Sequence, residues 1–251
     1  MKAVIEQKRV IPFGEEFMKD KKVNDNIYAY FQIKSYLTKD RQRYVYKKDA
    51  TATAIQSYFE EKQLNISLST VKRNIALFKK IKLITESKRV DEFGKEQSIY
   101  LLKDDFKFFA YVPLDTLTYL ANTATENVIK IYAYLLNKYE FKAKTNDTYI
   151  FTKKELLEAI GYSTDNNRSY KIISDIILCL DNNGLIEYKE FFVKNFEENP
   201  TPQIRLTKVN TKVRNMKESR AAKSSYAAAE IVEILEEIEQ KKIISYEEFI
   251  F

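Results

Sequence analysis

Hydroxyl-bearing and basic side chains within residues 67–102 are interleaved with apolar ones in a helical pattern. Between Leu68 and Ile81 large apolar residues recur every three or four positions, so they share one helix face. This face consists of Val71, Ile75, Phe78 and Ile81. The opposite face carries Ser69, Lys72, Arg73, Ala76 and Lys80, and Ser67 or Ser69 is the predicted N-cap. Such a face offers hydrogen-bond donors and positive charge to phosphate oxygens and to base edges.

A basic β-hairpin is predicted directly after this helix. Leu83–Arg89 and Ser98–Leu102 are strand-like runs, and Gly94 between them can take the positive φ of a turn. The predicted DNA-contacting residues of helix and hairpin are Ser69, Thr70, Lys72, Arg73, Lys79, Lys80, Lys88, Arg89 and Lys95. A single helix of this kind is more often a solvated surface helix. The adjoining basic hairpin instead favours a helix that enters the major groove of double-stranded DNA while the hairpin reaches phosphates.

The positive charge is concentrated in the same part of the chain. Residues 21–100 carry 17 Lys and Arg against 9 Asp and Glu, a net charge of +8. Residues 101–210 have a net charge of −1, residues 211–225 of +4 and residues 226–251 of −5. A clustered positive field attracts the phosphate backbone through counterion release, which an even spread of charge would do less well. The first region is therefore expected to supply most of the DNA affinity.

The composition argues against catalysis and metal binding. The chain has no histidine, one cysteine and only four glycines, which removes His-based catalysis, Cys/His zinc sites and Gly-rich phosphate loops. Cys179 lies in an apolar run and is predicted to be a buried small hydrophobe. We expect a non-enzymatic protein with no catalytic residue, no cofactor and no metal. Neither a membrane-spanning segment nor a secretory signal is evident, so a cytoplasmic protein is predicted.

An internal repeat divides the chain. The tetrapeptide at 27–30, Ile-Tyr-Ala-Tyr, recurs at 131–134, and three further landmarks follow in the same order at offsets of 102 to 105 residues. We predict an α+β, helix-rich fold of two tandem winged-helix (helix-turn-helix) domains plus a C-terminal helical tail. The predicted parts are an N-terminal arm (1–20), a basic winged-helix domain (21–102), a second winged-helix domain (103–210) and a tail (211–251). In the first domain, helices are predicted over Asn24–Leu37 and from an N-cap at Asp49 to Lys62.

The second domain is predicted to use its third helix, Asp165–Asp181, in one of two ways. If this helix contacts DNA, it does so through Asn166, Asn167, Arg168 and Lys171 near its start. Otherwise its outward face, with Leu178 exposed among polar residues, is a protein interface. The predicted wing of this domain, residues 196–202, is acidic.

The tail combines a basic run with an acidic amphipathic helix and an apolar end. Residues expected to contact protein there are Ile231, Leu235, Ile238, Phe249 and Phe251. The tail either folds back onto the second domain or is a motif that recruits a replication partner or pairs with another copy of the chain.

Four segments of the second half resemble plasmid and phage replication initiators of Gram-positive bacteria, of the RepA-type and DnaD-like winged-helix class. They are Phe109–Pro113, Val128–Asn137, Tyr149–Leu156 and Leu180–Glu187. The first half is a more diverged copy, with Lys82 where a glycine commonly precedes the Leu-Ile pair. The resemblance implies a sequence-specific initiator whose partners are origin or operator repeats in double-stranded DNA, a second copy of the chain and host replication proteins. A transcription or partition regulator and an adaptor such as a helicase loader are the alternatives.

Overall fold

The computed structural model describes residues 10–37, 42–106, 109–143, 149–193 and 201–213. These stretches belong to one compact unit, residues 1–214. Within them the chain forms eight helices and three small antiparallel sheets, which confirms the predicted mixture of helix and sheet. No helix in these stretches is both long and apolar enough to cross a membrane.

The two halves of the unit repeat one order of elements. The first half contains β1 (Val10–Gly14), α1 (Glu15–Lys19), α2 (Asp25–Lys34), β2 (Tyr36–Leu37), β3 (Arg43–Tyr46), α3 (Ala52–Glu61), α4 (Leu68–Lys80), β4 (Ile84–Val90) and β5 (Glu96–Leu102). The second half contains β6 (Phe109–Pro113), α5 (Leu114–Thr123), α6 (Val128–Ala143), β7 (Tyr149–Phe151), α7 (Lys153–Ala159), α8 (Asn167–Asn182), β8 (Ile186–Val193) and β9 (Thr201–Val209). Apart from β2, every element of one half has a counterpart in the other.

The sheets repeat as well. In the orders β2-β3-β5-β4 and β7-β9-β8, the last strand of each half lies between its hairpin partner and the strand that precedes the second helix of the repeat: β5 lies between β4 and β3, and β9 lies between β8 and β7. The pairs Tyr44↔Leu101 and Tyr149↔Leu206 occupy the same register position in the two sheets. The leading strands β1 and β6 pair antiparallel with each other and so join the two halves.

Four helices end in the same local structure. Each is followed by a residue in the left-handed region, at φ values between 58° and 73°. These residues are Gln63 after α3, Lys82 after α4, Gly161 after α7 and Gly184 after α8. The amide of the next residue then bonds back to a helix carbonyl at 2.8 to 2.9 Å, which satisfies carbonyls that the helix end would leave unpaired. Lys82 after α4 therefore has the same left-handed conformation as Gly184, its counterpart after α8.

The hydrophobic core is shared between the halves. One cluster of buried residues includes Phe13, Phe17 and Tyr28 of the first half and Leu120 and Tyr132 of the second. The segment predicted as an arm thus contributes β1, α1 and two buried phenylalanines to this core. The division into domains at 21–102 and 103–210 stays a prediction.

Polar side chains at the junction cap helices of the opposite half. The carboxylate of Asp25 accepts hydrogen bonds from the amides of Asn127 and Ile129 at 2.9 and 3.0 Å, at the start of α6. The Asn26 amide donates to two carbonyls at the end of α5, at 3.0 and 3.1 Å. The Lys130 ammonium donates to the carbonyls of Asp20 and Val23, after α1. All three capping side chains are buried, so neither half has its own complete set of helix caps.

Two predicted boundaries in the first half are wrong. Asp49 is not the N-cap of α3: the hydroxyl of Thr51 accepts from the amide of Ala54 at 3.2 Å, and the Asp49 carbonyl accepts from Tyr30. The helix predicted to reach Leu37 ends at Lys34, because the chain becomes extended at Ser35 and pairs as β2. Periodicity alone does not mark such ends, since caps depend on one or two residues.

Candidate nucleic-acid interface

Helix α4 has the two faces that the sequence predicts. The hydroxyl of Ser67 caps it by accepting from the amide of Thr70 at 3.2 Å. Val71 and Phe78 are buried, and Ile75 and Ile81 pack against the core while partly exposed. On the opposite side, Ser69, Lys72, Arg73, Ala76, Lys79 and Lys80 are exposed, and Thr70 is half-buried.

A buried asparagine that the sequence reasoning missed fixes the start of this helix. The side-chain oxygen of Asn74 accepts from the amide of Asn24 at 2.8 Å, and its nitrogen donates to the Thr70 carbonyl at 3.1 Å. Asn24 in turn caps α2 by accepting from Ile27. The orientation of α4 is therefore tied to α2 by hydrogen bonds as well as by apolar packing.

The hairpin that follows α4 has a rigid turn. Strands β4 and β5 pair without interruption from Ile84↔Leu102 to Val90↔Glu96. In the turn, one carboxylate oxygen of Asp91 accepts from the amides of Phe93 and Lys95 at 3.0 and 2.9 Å, and the other accepts from Gln97 at 3.0 Å. These bonds hold the pKa of the Asp91 carboxyl below its usual range. Gly94 has a φ of +78°, which confirms its predicted role.

Ion pairs reduce the positive charge of the predicted basic surface. Glu86 on β4 accepts from the ammonium groups of Lys47 and Lys79 at 2.9 and 3.1 Å, and these contacts lower the pKa of Glu86. Lys88 pairs with Glu96 across the hairpin at 2.5 Å. The sequence alone did not predict that Glu86 forms ion pairs with both Lys47 and Lys79, because these residues lie on a strand, a turn and a helix respectively.

The remaining predicted cations differ in their surroundings. The Arg89 guanidinium lies 4.9 Å from the centre of the Tyr44 ring, a cation–π distance. Partial desolvation raises the pKa of Glu126, and the charge of Arg73 is the smallest of the causes that oppose or add to this rise. Lys72 and Lys80 have no acidic partner among the described residues. These two lysines therefore present the least compensated charge of α4.

The start of α8 is the corresponding region of the second half. Asn166 caps the helix by accepting from the amide of Arg168 at 2.9 Å, and the side chains of Asn166, Asn167, Arg168 and Lys171 are exposed. Lys171 is the fifth residue of α8, as Lys72 is of α4. Both halves therefore place a lysine at an equivalent exposed position.

The outward face of α8 is more covered than predicted. Leu178 is half-buried, not fully exposed. Cys179, predicted to be buried, is half-buried and packs against the core. Thr201 and Pro202, the last two residues of the predicted acidic wing (196–202), belong to β9. Residues 196–200 of that wing lie outside the described residues, as do Ile231, Leu235, Ile238, Phe249 and Phe251 of the tail. The protein contacts proposed for these residues stay predictions.

The site as a whole offers cations, hydroxyls and amides on one helix and one hairpin. No family model, no curated protein and no solved structure matches this chain. What the surface can bind must therefore be argued from its own geometry. An exposed helix face with uncompensated lysines, beside a rigid hairpin, can dock on an anionic groove of repeating phosphates.

Proposed function

We propose that this chain is a sequence-specific double-stranded DNA-binding protein built from two winged-helix units. The proposal is supported by the order α2-β3-α3-α4-β4-β5, with the short β2 between α2 and β3, which resembles that of a winged helix; α6-β7-α7-α8-β8-β9 repeats it. In each unit the third helix precedes the hairpin, as a recognition helix precedes its wing. The observation that carries the proposal is the exposed row of Ser69, Lys72, Arg73 and Lys80 on α4, next to the β4–β5 hairpin.

In this mechanism α4 lies in the major groove and needs no catalytic group. Ser69 and Thr70 at its capped start donate hydrogen bonds to a phosphate, whereas Lys72 and Arg73 reach base edges and the backbone. The hairpin carries Lys95 to the adjacent backbone. Binding releases condensed counterions, so affinity falls steeply with salt.

The second unit contributes less to DNA affinity in this proposal. Residues 101–210 have a net charge of −1 against +8 for residues 21–100. Its contact with DNA is limited to the start of α8, at Asn166, Asn167, Arg168 and Lys171. The shared core fixes the position of this helix relative to α4.

The setting we propose is replication of a plasmid or phage, in the cytoplasm, where the chain binds origin repeats and recruits host replication proteins. This part rests on the resemblance of residues 109–113, 128–137, 149–156 and 180–187 to initiators. A footprint on the DNA that flanks the coding sequence tests it. Several direct repeats beside an AT-rich tract support an initiator, whereas one inverted repeat over a promoter overturns that setting in favour of a regulator.

A matched pair of variants tests the DNA-binding surface itself. In the full chain, Lys72→Ala should weaken binding to the footprinted site and reduce the slope of log affinity against log salt by about one unit. Lys171→Ala removes the same charge at the fifth residue of α8 and should have the smaller effect. Binding measured by fluorescence anisotropy across a salt series compares them.

Two outcomes of that titration contradict the proposal. Equal effects of Lys72→Ala and Lys171→Ala would refute the dominance of the first unit. The absence of any duplex binding by the full chain, with circular dichroism showing it folded, would refute the function. Arg73→Ala tests recognition of the DNA sequence: it should weaken the binding free energy by about 1 to 3 kcal/mol on the cognate site and by less on unrelated DNA.

A further inference from the structure

The tip of the β4–β5 hairpin presents apolar side chains to solvent. Phe93 is 86% exposed and Val90 is 61% exposed, the largest values among the large apolar residues that the structure describes. Removing such a ring from water is favourable, so contact with a ligand that covers it would be favoured.

The turn holds Phe93 in this position. The Asp91 carboxylate accepts from the amide of Phe93 itself at 3.0 Å and from that of Lys95 at 2.9 Å, so the backbone on both sides of the ring is fixed. The Asp91 amide donates to the Lys95 carbonyl at 2.9 Å, and the Gly94 amide donates to the Asp91 carbonyl at 3.0 Å. The ordering entropy of the tip is therefore already lost in the free protein, which favours binding through it.

The size of the exposed patch decides what it can bind. A stable protein interface takes about 800 Å² from each partner, which one phenylalanine and one valine at a hairpin tip do not supply. A wedge between two base pairs needs only one such side chain. Lys95, two residues after Phe93, supplies positive charge for the minor groove, beside the exposed carboxylate of Glu92.

We propose that Phe93 enters the minor groove of the bound duplex and inserts between two adjacent base pairs, which it partly unstacks and kinks. This inference rests on the proposed function, since α4 in the major groove is what brings the hairpin tip to the neighbouring minor groove. The unstacking is least costly at flexible pyrimidine–purine steps such as TA. The bound site therefore has a sequence preference beneath the hairpin, although the tip forms no base-specific hydrogen bond there.

The test compares three variants of the full chain on the footprinted site. Phe93→Ala should weaken binding about 5- to 150-fold, the range for loss of an aromatic side chain stacked on a base. Because no charge is removed, the salt slope should stay that of the wild type. Lys95→Ala should instead reduce this slope by about one unit. Phe93→Leu keeps an apolar wedge and should recover most of the affinity.

A fluorescent base analogue reports the insertion directly. With 2-aminopurine at the step beneath the hairpin, wild-type binding should raise its emission, because unstacking removes quenching by its neighbours. Phe93→Ala should leave the emission at the level of free duplex even at saturation. Replacing the TA step by a stiff A-tract should lower wild-type affinity and leave that of Phe93→Ala unchanged.

Each remaining outcome is decisive. If the full chain binds no duplex, the proposed function and the wedge both fail. If it binds DNA but Phe93→Ala binds equally well, only the wedge fails. If Phe93→Ala leaves DNA binding intact and lowers the mass seen by sedimentation, Phe93 contacts a second copy of the chain and the wedge is overturned. Phe93→Ala should melt at the wild-type temperature, because the exposed ring contributes little to the core.

Discussion

Replacing Asp25 with alanine tests the junction between the two halves. The carboxylate is fully buried and accepts hydrogen bonds from three backbone amides at the start of α6, those of Asn127, Ile129 and Lys130, at 2.9, 3.0 and 3.4 Å. Lys130, also buried, supplies the opposing charge. Alanine would leave the amides without an acceptor and would remove one of the acidic charges that act on the Lys130 ammonium, beside those of Glu126 and Asp20. It would also leave a cavity that the methyl group does not fill.

The size of the effect follows from these contacts. Removing one member of a buried charge pair costs about 3 to 5 kcal/mol, mostly because the other charge stays buried. Each buried amide that loses its acceptor costs about 1 to 3 kcal/mol. Because such costs are not additive, we include them in the range of about 3 to 5 kcal/mol rather than adding them to it. We expect Asp25→Ala to lower the free energy of unfolding by about 3 to 5 kcal/mol. Asp25→Asn retains one acceptor oxygen and should lose less.

Urea unfolding of the full chain, followed by far-UV circular dichroism and tyrosine fluorescence, measures this change. Asp115→Ala, which removes an exposed carboxylate from the first turn of α5, is the control and should change the free energy by less than about 0.5 kcal/mol. A double-mutant cycle with Lys130→Met should give a coupling of about 0.5 to 3 kcal/mol. The reasoning is refuted if Asp25→Ala loses less than about 1 kcal/mol, or if the described unit unfolds in two separate transitions.

The same carboxyl predicts a dependence on pH. Burial raises the pKa of Asp25 above its ordinary value of 3.8, against the opposing charge of Lys130. Between 3.8 and the raised value, the unfolded chain has lost this proton while the folded chain still holds it. The stability that Asp25 contributes is thus present below 3.8 and is lost as the pH rises through the folded-state pKa. The wild type minus Asp25→Asn difference in unfolding free energy should fall over this window, and a rise would contradict the assignment.

Two further predictions concern the hairpin and the helix ends. Glu86→Gln frees Lys47 and Lys79, so it should tighten DNA binding and steepen the slope of log affinity against log salt by about one to two units. An unchanged slope in anisotropy titrations would show that neither lysine approaches a phosphate. Lys82→Gly removes a side chain from a left-handed position, so it should raise the free energy of unfolding, measured in urea, by up to about 1 kcal/mol. Gly184→Ala places a side chain at the equivalent position and should lower this free energy by about 1 to 2 kcal/mol. Effects of the same sign would contradict the shared conformation.

Local sequence patterns determined much of the fold. The periodicity of Leu68–Ile81 and the Gly94 turn both appear in the structure close to where the sequence places them, because each depends on residues that are near one another in the chain. The repeated landmarks also lie at corresponding elements of the two halves. Helix ends were less predictable: Thr51 replaces Asp49 as a cap, since both are suitable capping residues and packing decides between them.

The tertiary structure alone decided which charges meet. Asp25 and Lys130 are about a hundred positions apart, yet each caps a helix of the opposite half, and no spacing rule links them. Glu86 pairs with Lys79, which was predicted to contact DNA, and also with Lys47 from a distant turn, and the Asp91 carboxylate accepts hydrogen bonds within the turn that exposes Phe93. The chemistry of a surface depends on distances across the fold and on local dielectric, which follow from how elements pack; the sequence determines the elements and the charges that they carry.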